Sequence, residues 1–183
     1  DNRVSMEVYA QNLISELAGM GRIDQFRPEP IRNFTQENGL NARFERYIRY
    51  PFLLPKNYDV YHVLDHQYAH LKGMKQYGAW VLTCHDLIPF VTFKGFVEGL
   101  KGIRRPLMTE YSMAYYKQYN HIIAISESTK EDLINFCNLD PNKISVIYYG
   151  LSDVYEKYDL ASRIKCKERY GYTGRWNILI CGF

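Results

Sequence analysis

The segment at residues 120–155 constrains the fold of this chain more than any other stretch. Residues 121–125 and 144–148 are short, isoleucine-containing apolar runs, which are typical of strands buried on both faces of a parallel sheet. Residues 127–136 between them have helical character, and Gly150 follows the second run. Two parallel strands joined by a helix form a right-handed crossover. The pattern therefore predicts an α/β fold with an open, Rossmann-like parallel sheet and helices on both faces.

Polar residues follow these two runs at the points where the strands should end. Ser128 and Glu131 have the spacing of a capping box at the start of the helix. Ligands of doubly wound sheets bind beyond the carboxyl ends of the strands. We therefore take Ser126, Ser128, Thr129 and Gly150 as candidate substrate contacts, with helix capping as the simpler explanation of the hydroxyls.

Other parts of the chain continue the alternation of strands and helices. Apolar runs predict further strands at 23–26, 60–64, 79–84 and 177–181. Helical periodicity predicts helices at 5–17, 43–50, 106–119 and 160–170. Pro51 is expected to end the second of these helices, and Pro106 suits the first turn of the third.

Composition excludes several classes of protein. A chain of 183 residues can bury one sizeable core, and a net charge of +3 is too small to indicate nucleic-acid binding. The four cysteines are widely spaced, which favours thiols in a reducing compartment, so we expect a cytoplasmic protein. No stretch of about 18 apolar residues is present, and the glycine-rich motif of nicotinamide-binding proteins is absent.

Histidines supply the candidates for chemistry. His85 and Asp86 directly follow the run at 79–84, so the imidazole should point into the crevice at the edge of the sheet. The alternative is a histidine that only closes the strand end. Asp86 is a candidate substrate contact, or it orients the loop or caps the following turn. His66 and Gln67 follow the run at 60–64 and are candidates for contact with an acceptor, or exposed loop residues. His66 has histidine neighbours at intervals of four, but the segment has strand character, so we predict no metal site.

Three passages resemble GT-B glycosyltransferases of the family 4 type. The first is the His-Asp motif at 83–87, and the second is the strand, serine and helix passage at 124–133. The third is Tyr149-Gly150-Leu151-Ser152-Asp153, where the family usually has Asn-Gly-Val-Asp. Tyr149 in place of the asparagine and the added Ser152 are departures from that pattern.

The resemblance implies a domain organisation. Residues 1–155 would form the N-terminal, acceptor-side domain, residues 156–176 a linker with a helix, and residues 177–183 the first strand of a donor-binding domain. We expect the native protein to extend further at both ends, and this chain alone to be inactive.

The resemblance also implies a function. Such enzymes move a sugar, with retention, from a nucleotide-sugar donor to a hydroxyl acceptor such as a glycan, a lipid or a polysaccharide precursor. They need no cofactor or essential metal. By this resemblance His85 would be catalytic and help to hold the transferred sugar, and Gly182 would allow close approach of the donor diphosphate. A hexosyltransferase is the expected type.

Alternatives remain at this point. One is a non-catalytic module that binds a glycan acceptor, or the partner subunit of a split transferase. Another is a different GT-B enzyme, such as a sugar epimerase. The amphipathic stretch at 93–105, with lysines and arginines beside its apolar side chains, is either a peripheral contact with an anionic membrane or ordinary core packing.

Overall fold

Four parallel strands form the sheet in the described part of this chain. The computed structural model describes residues 5–26, 43–74, 77–93, 107–150 and 159–171. The strands are β1 (Val60–Val63), β2 (Ala79–Cys84), β3 (His121–Ala124) and β4 (Ile144–Val146). They lie side by side in the order of the sequence, and every neighbouring pair is parallel. The predicted Rossmann-like α/β fold is therefore confirmed.

Helices alternate with these strands along the chain. The α-helices are α1 (Ser5–Leu17), α2 (Tyr50–Leu53), α3 (Ile88–Phe93), α4 (Leu107–Met113), α5 (Glu127–Cys137) and α6 (Leu160–Arg169). 3₁₀ helices occupy His66–Met74, Tyr116–Gln118 and Pro141–Lys143, and a π-helix occupies Glu45–Arg49. α5 connects β3 to β4, as the sequence predicts for the crossover.

The two faces of the sheet have different compositions. Alternation along β2 puts Trp80, Leu82 and Cys84 on one face, where all three are fully buried. Tyr61 of β1 stacks on Trp80 with ring centroids 4.6 Å apart, and Leu133 of α5 joins the same core. The opposite face is more polar and carries the side chains that define the candidate site. Burial of the first face stabilises the sheet and so fixes where the polar face lies.

One predicted strand and one predicted helix end are wrong. Residues 23–26 form no strand, because Ile23 and Phe26 remain exposed and gain no burial from pairing. Pro51 does not end the helix begun at Glu45, which passes into α2 and continues to Leu53. Pro51 lies at the junction between the π-helix and the first turn of α2, and the helix continues through it although proline supplies no N–H.

The chain divides into two units, Asp1–Tyr149 and Gly150–Phe183. The first unit contains the sheet. In the second, Asp159 caps α6 by accepting a hydrogen bond from the backbone N–H of Ser162 at 2.7 Å. The strand predicted at 177–181 lies outside the described residues, so the predicted organisation of the second domain stays a prediction.

Candidate functional site at the carboxyl edge of the sheet

His85 follows the last residue of β2. Its backbone N–H, its backbone carbonyl and both ring nitrogens all have hydrogen-bond partners within the protein. It is buried, with an exposed fraction of 4%. Nε2–H donates to the carbonyl of Leu64 at 2.6 Å, and Nδ1 faces the hydroxyl of Tyr149. The backbone N–H donates to Nδ1 of His66 at 3.4 Å, and the carbonyl accepts from Oγ1 of Thr129 at 3.3 Å. The imidazole is thereby fixed at the edge where open parallel sheets bind ligands.

Two tyrosines enclose the His85 ring. Tyr149 stacks on it with centroids 5.8 Å apart and planes at 24°, and Tyr9 of α1 meets it edge-on at 5.5 Å and 88°. The two tyrosine rings lie 5.2 Å apart. Aromatic pairs of this kind contribute about 0.5–1.5 kcal/mol each beyond the area they bury. The rings therefore hold the imidazole in place and link α1 to the end of the sheet.

A row of hydrogen bonds crosses the polar face from β1 to α1. Nε2 of His62 lies 2.8 Å from Oγ1 of Thr83, and the hydroxyl of Tyr9 lies 3.4 Å from the same oxygen. Thr83 is fully buried. Burial lowers the pKa of His62 to about 4, so this imidazole is neutral at physiological pH. The row ties α1 to the face of the sheet that leads to His85.

His66 supports the loop that carries His85. It begins the 3₁₀ helix after β1 and is buried, which lowers its pKa. The carboxylates of Asp65 and Asp86 act in the opposite direction on that pKa, and His85 lowers it further. A neutral His66 is needed here, because its Nδ1 accepts the backbone N–H of His85. His66, which the sequence predicts to contact the acceptor substrate, is a buried hydrogen-bond partner of His85 in this structure. Its contact with an acceptor substrate stays a prediction.

The start of α5 also holds His85 in place. Oγ of Ser126 accepts the backbone N–H of Thr129 at 3.1 Å and lies 2.9 Å from its hydroxyl. The Thr129 hydroxyl donates to the carbonyl of His85, so Ser126 donates to Thr129. The predicted capping box at Ser128 and Glu131 is wrong. Only Ser126 has the extended backbone that an N-cap needs, and Ser128 is exposed in the first turn.

The remaining predicted site residues make other contacts or lie outside the described ranges. Oδ1 of Asp86 accepts the backbone N–H of Ile88 at 3.0 Å and so caps α3. Gln67 is exposed in the 3₁₀ helix after β1. Gly150 begins the second unit, and Gly182 lies outside the described residues. Roles for these four in binding substrate stay predictions.

The three histidines spaced by four do not converge. His62 lies on β1, whereas His66 and His70 lie in the following 3₁₀ helix. Nε2–H of His70 donates to the carbonyl of Arg46 at 2.9 Å. Across the described ranges, no three His, Cys, Asp or Glu side chains meet as metal ligands would.

The segment predicted to touch a membrane lies almost wholly outside the described residues. Residue 93 is the last residue of α3, and description resumes at residue 107. Within the described ranges, no helix has both the length and the apolar character needed to cross a bilayer. Contact through 93–105 therefore stays a prediction.

Sequence reasoning missed Tyr9 and Tyr149 as parts of the site. The pattern assigns Tyr9 to the core stripe of α1, and Tyr149 stands out only as a departure from the family motif. Position relative to the strands was the available indication. Tyr149 comes three residues after β4, just as His85 directly follows β2, so both belong to the carboxyl edge of the sheet.

A parallel α/β sheet with polar side chains gathered at its carboxyl edge has the architecture of domains that bind ligands in the crevice there. The family model for Glycosyltransferase Family 4 matches residues 6–153, a range that includes the whole described sheet and the His85 cluster. The chain belongs to this family, and its function is of the glycosyltransferase type. A search of curated proteins finds no match.

Proposed function

We propose that this chain is the acceptor-side domain of a retaining glycosyltransferase. The complete enzyme transfers a sugar from a nucleotide-sugar donor to a hydroxyl acceptor such as a glycan, a lipid or a polysaccharide precursor. The observation that carries this proposal is the family match across 6–153, within which the rigid His85 cluster lies at the ligand-binding edge of the sheet.

The chemistry of such a transfer suits a rigid polar cluster. Positive charge develops on the sugar ring as its bond to the leaving diphosphate breaks. Polar groups that are already oriented stabilise that charge without reorganising during the reaction. His85 and Tyr149 form such a cluster, because the imidazole is fixed by hydrogen bonds on both ring nitrogens and by two aromatic rings.

The rest of the proposal concerns the whole protein. Neither a cofactor nor an essential metal takes part, and the transferred group is a hexose. By the family resemblance, residues 177–183 begin the donor-binding domain, and residues 1–183 alone are proposed to be inactive. The protein works in the cytoplasm, with residues 93–105 as a peripheral contact for anionic lipid.

The test is a donor and acceptor screen on the full-length protein. UDP-glucose, UDP-galactose, UDP-N-acetylglucosamine and GDP-mannose are offered with a panel of glycan and lipid acceptors. NMR of the product gives the anomeric configuration. We expect transfer with retention and without added metal, and no transfer by residues 1–183 alone.

Two alanine variants show whether a loss of activity comes from the position of His85 or from removing any histidine of the sheet. His85→Ala should lower kcat/KM by about tenfold, the cost of one polar group that is no longer held in place. His121→Ala is the matched control, because His121 starts β3 at the opposite end of the sheet and its Nε2 lies 2.9 Å from Oγ of Ser145. Binding of a glycan without turnover by any donor would instead support the non-catalytic module.

A further inference from the structure

His85 has no polar side-chain atom left to offer a substrate. A carbonyl oxygen only accepts hydrogen bonds, so the contact with Leu64 at 2.6 Å requires the proton on Nε2. The lone pair of the neutral ring is then on Nδ1, and it accepts the hydroxyl proton of Tyr149. With both nitrogens engaged and an exposed fraction of 4%, the ring is closed to direct contact.

Tyr149 is open to solvent where His85 is not. Its exposed fraction is 48%, although its ring stacks on the imidazole. Partial burial raises the pKa of Tyr149 to about 12, so the phenol stays protonated at physiological pH. Its proton goes to Nδ1 of His85, which leaves the lone pairs of the phenol oxygen to accept a hydrogen bond from outside. Donation to the imidazole polarises the oxygen and makes it a better acceptor.

We propose that Tyr149 is the residue that contacts the transferred sugar, accepting a hydrogen bond from one of its hydroxyl groups. His85 is then a positioning residue that acts through Tyr149 by holding the phenol oxygen in one place. This inference rests on the proposed function, and it moves the substrate contact from a buried ring to an exposed hydroxyl. The carbonyl of Leu64 fixes the tautomer of His85 by requiring the proton on Nε2. The hydrogen bond between Tyr149 and Nδ1 must then run from the phenol to the imidazole.

The first test is Tyr149→Phe in the full-length protein, assayed with the donor that the wild type uses best. The ring and its stacking remain, and only the hydroxyl is lost. We expect kcat/KM to fall about tenfold, the contribution of one hydrogen bond to a substrate hydroxyl. Tyr148→Phe is the matched control, since the neighbouring Tyr148 is also exposed, at 66%, and should keep wild-type kcat/KM.

The second test identifies the hydroxyl. Monodeoxy analogues of that donor, each lacking one sugar hydroxyl, are assayed with wild type and Tyr149→Phe. For one analogue the wild type and Tyr149→Phe should have the same activity, because that analogue lacks the sugar hydroxyl that donates to Tyr149. A merely structural role for Tyr149 would lower the activity with every analogue by the same factor, and that outcome overturns the proposal.

The third test separates contact from positioning. If His85 acts only through the phenol, His85→Asn combined with Tyr149→Phe should lose no more activity than the more damaging single variant. Multiplying effects would mean that each residue contacts the substrate separately, which contradicts the proposal. Tighter donor binding by Tyr149→Phe would show that the phenol blocks the site. Absence of transfer by the wild type would instead refute the proposed function.

Discussion

The neutral His62 should make this fold sensitive to acid. Its ring lies on the polar face of the sheet, with Nε2 2.8 Å from Oγ1 of the buried Thr83. Burial lowers its pKa from 6.5 to about 4. Between those two pH values the unfolded chain binds a proton that the folded chain does not. The free energy of unfolding therefore decreases as the pH falls through this window and is unaffected by this group above it.

The size of the effect follows from the shift. One pKa unit corresponds to about 1.4 kcal/mol, so a pKa lowered from 6.5 to about 4 gives roughly 3 kcal/mol. The ring is partly exposed, and solvent screening reduces the expected loss to about 2 kcal/mol. Against a typical total of about 5–15 kcal/mol, this is a large fraction of the stability. Burial also lowers the pKa of His66 and of His70, so both act in the same direction.

Urea unfolding followed by circular dichroism at several pH values between 8 and 4.5 measures the effect. His62→Gln keeps an amide that can bond Thr83 but does not titrate. Its free energy of unfolding should fall by about 2 kcal/mol less than that of the wild type over this range. The values at pH 8, where both side chains are neutral, correct for any difference in packing. Equal losses in the two proteins would refute the assignment of a buried, neutral His62.

Two further predictions concern the backbone. Ser126→Ala should cost about 1 kcal/mol by removing the N-cap of α5, whereas Ser128→Ala in the exposed first turn should be nearly neutral, both by urea unfolding. Gly78→Ala should cost more than about 1 kcal/mol, because φ is +69° and a Cβ would lie 2.6 Å from the carbonyl oxygen of Tyr58. Gly19→Ala, where a Cβ would meet nothing within 4 Å, is its control in thermal unfolding, and equal midpoints for the two would contradict this account.

Much of the sheet could be predicted because its strands coincide with short, mostly apolar runs in the sequence. The runs that became β1, β2, β3 and β4 were all identified, each within two residues at either end. Once the strands were parallel, the position of His85 at the carboxyl edge followed from topology alone. The residues at 23–26 were misjudged, because two apolar side chains do not show whether a partner strand will cover them.

The contacts of the site depend on side-chain placement, which one-dimensional spacing does not encode. Tyr9 and Tyr149 are 140 positions apart and meet only because α1 and the loop after β4 reach the same edge. The cap of α5 was misplaced, since Ser126 and Ser128 are chemically equal and only the local backbone distinguishes them. Nor does the sequence reveal that the carbonyl of Leu64 occupies one nitrogen of His85.

The sequential order of the strands bears on how the protein is made. Among the described strands, none has to enter between two that are already paired, so each can dock on an existing edge as it leaves the ribosome. During synthesis of residues 125–143 that edge is β3, whose backbone groups have no partner on one side. An unpaired edge can join the same edge of another nascent chain. Rapid translation through α5 would shorten this interval and limit aggregation.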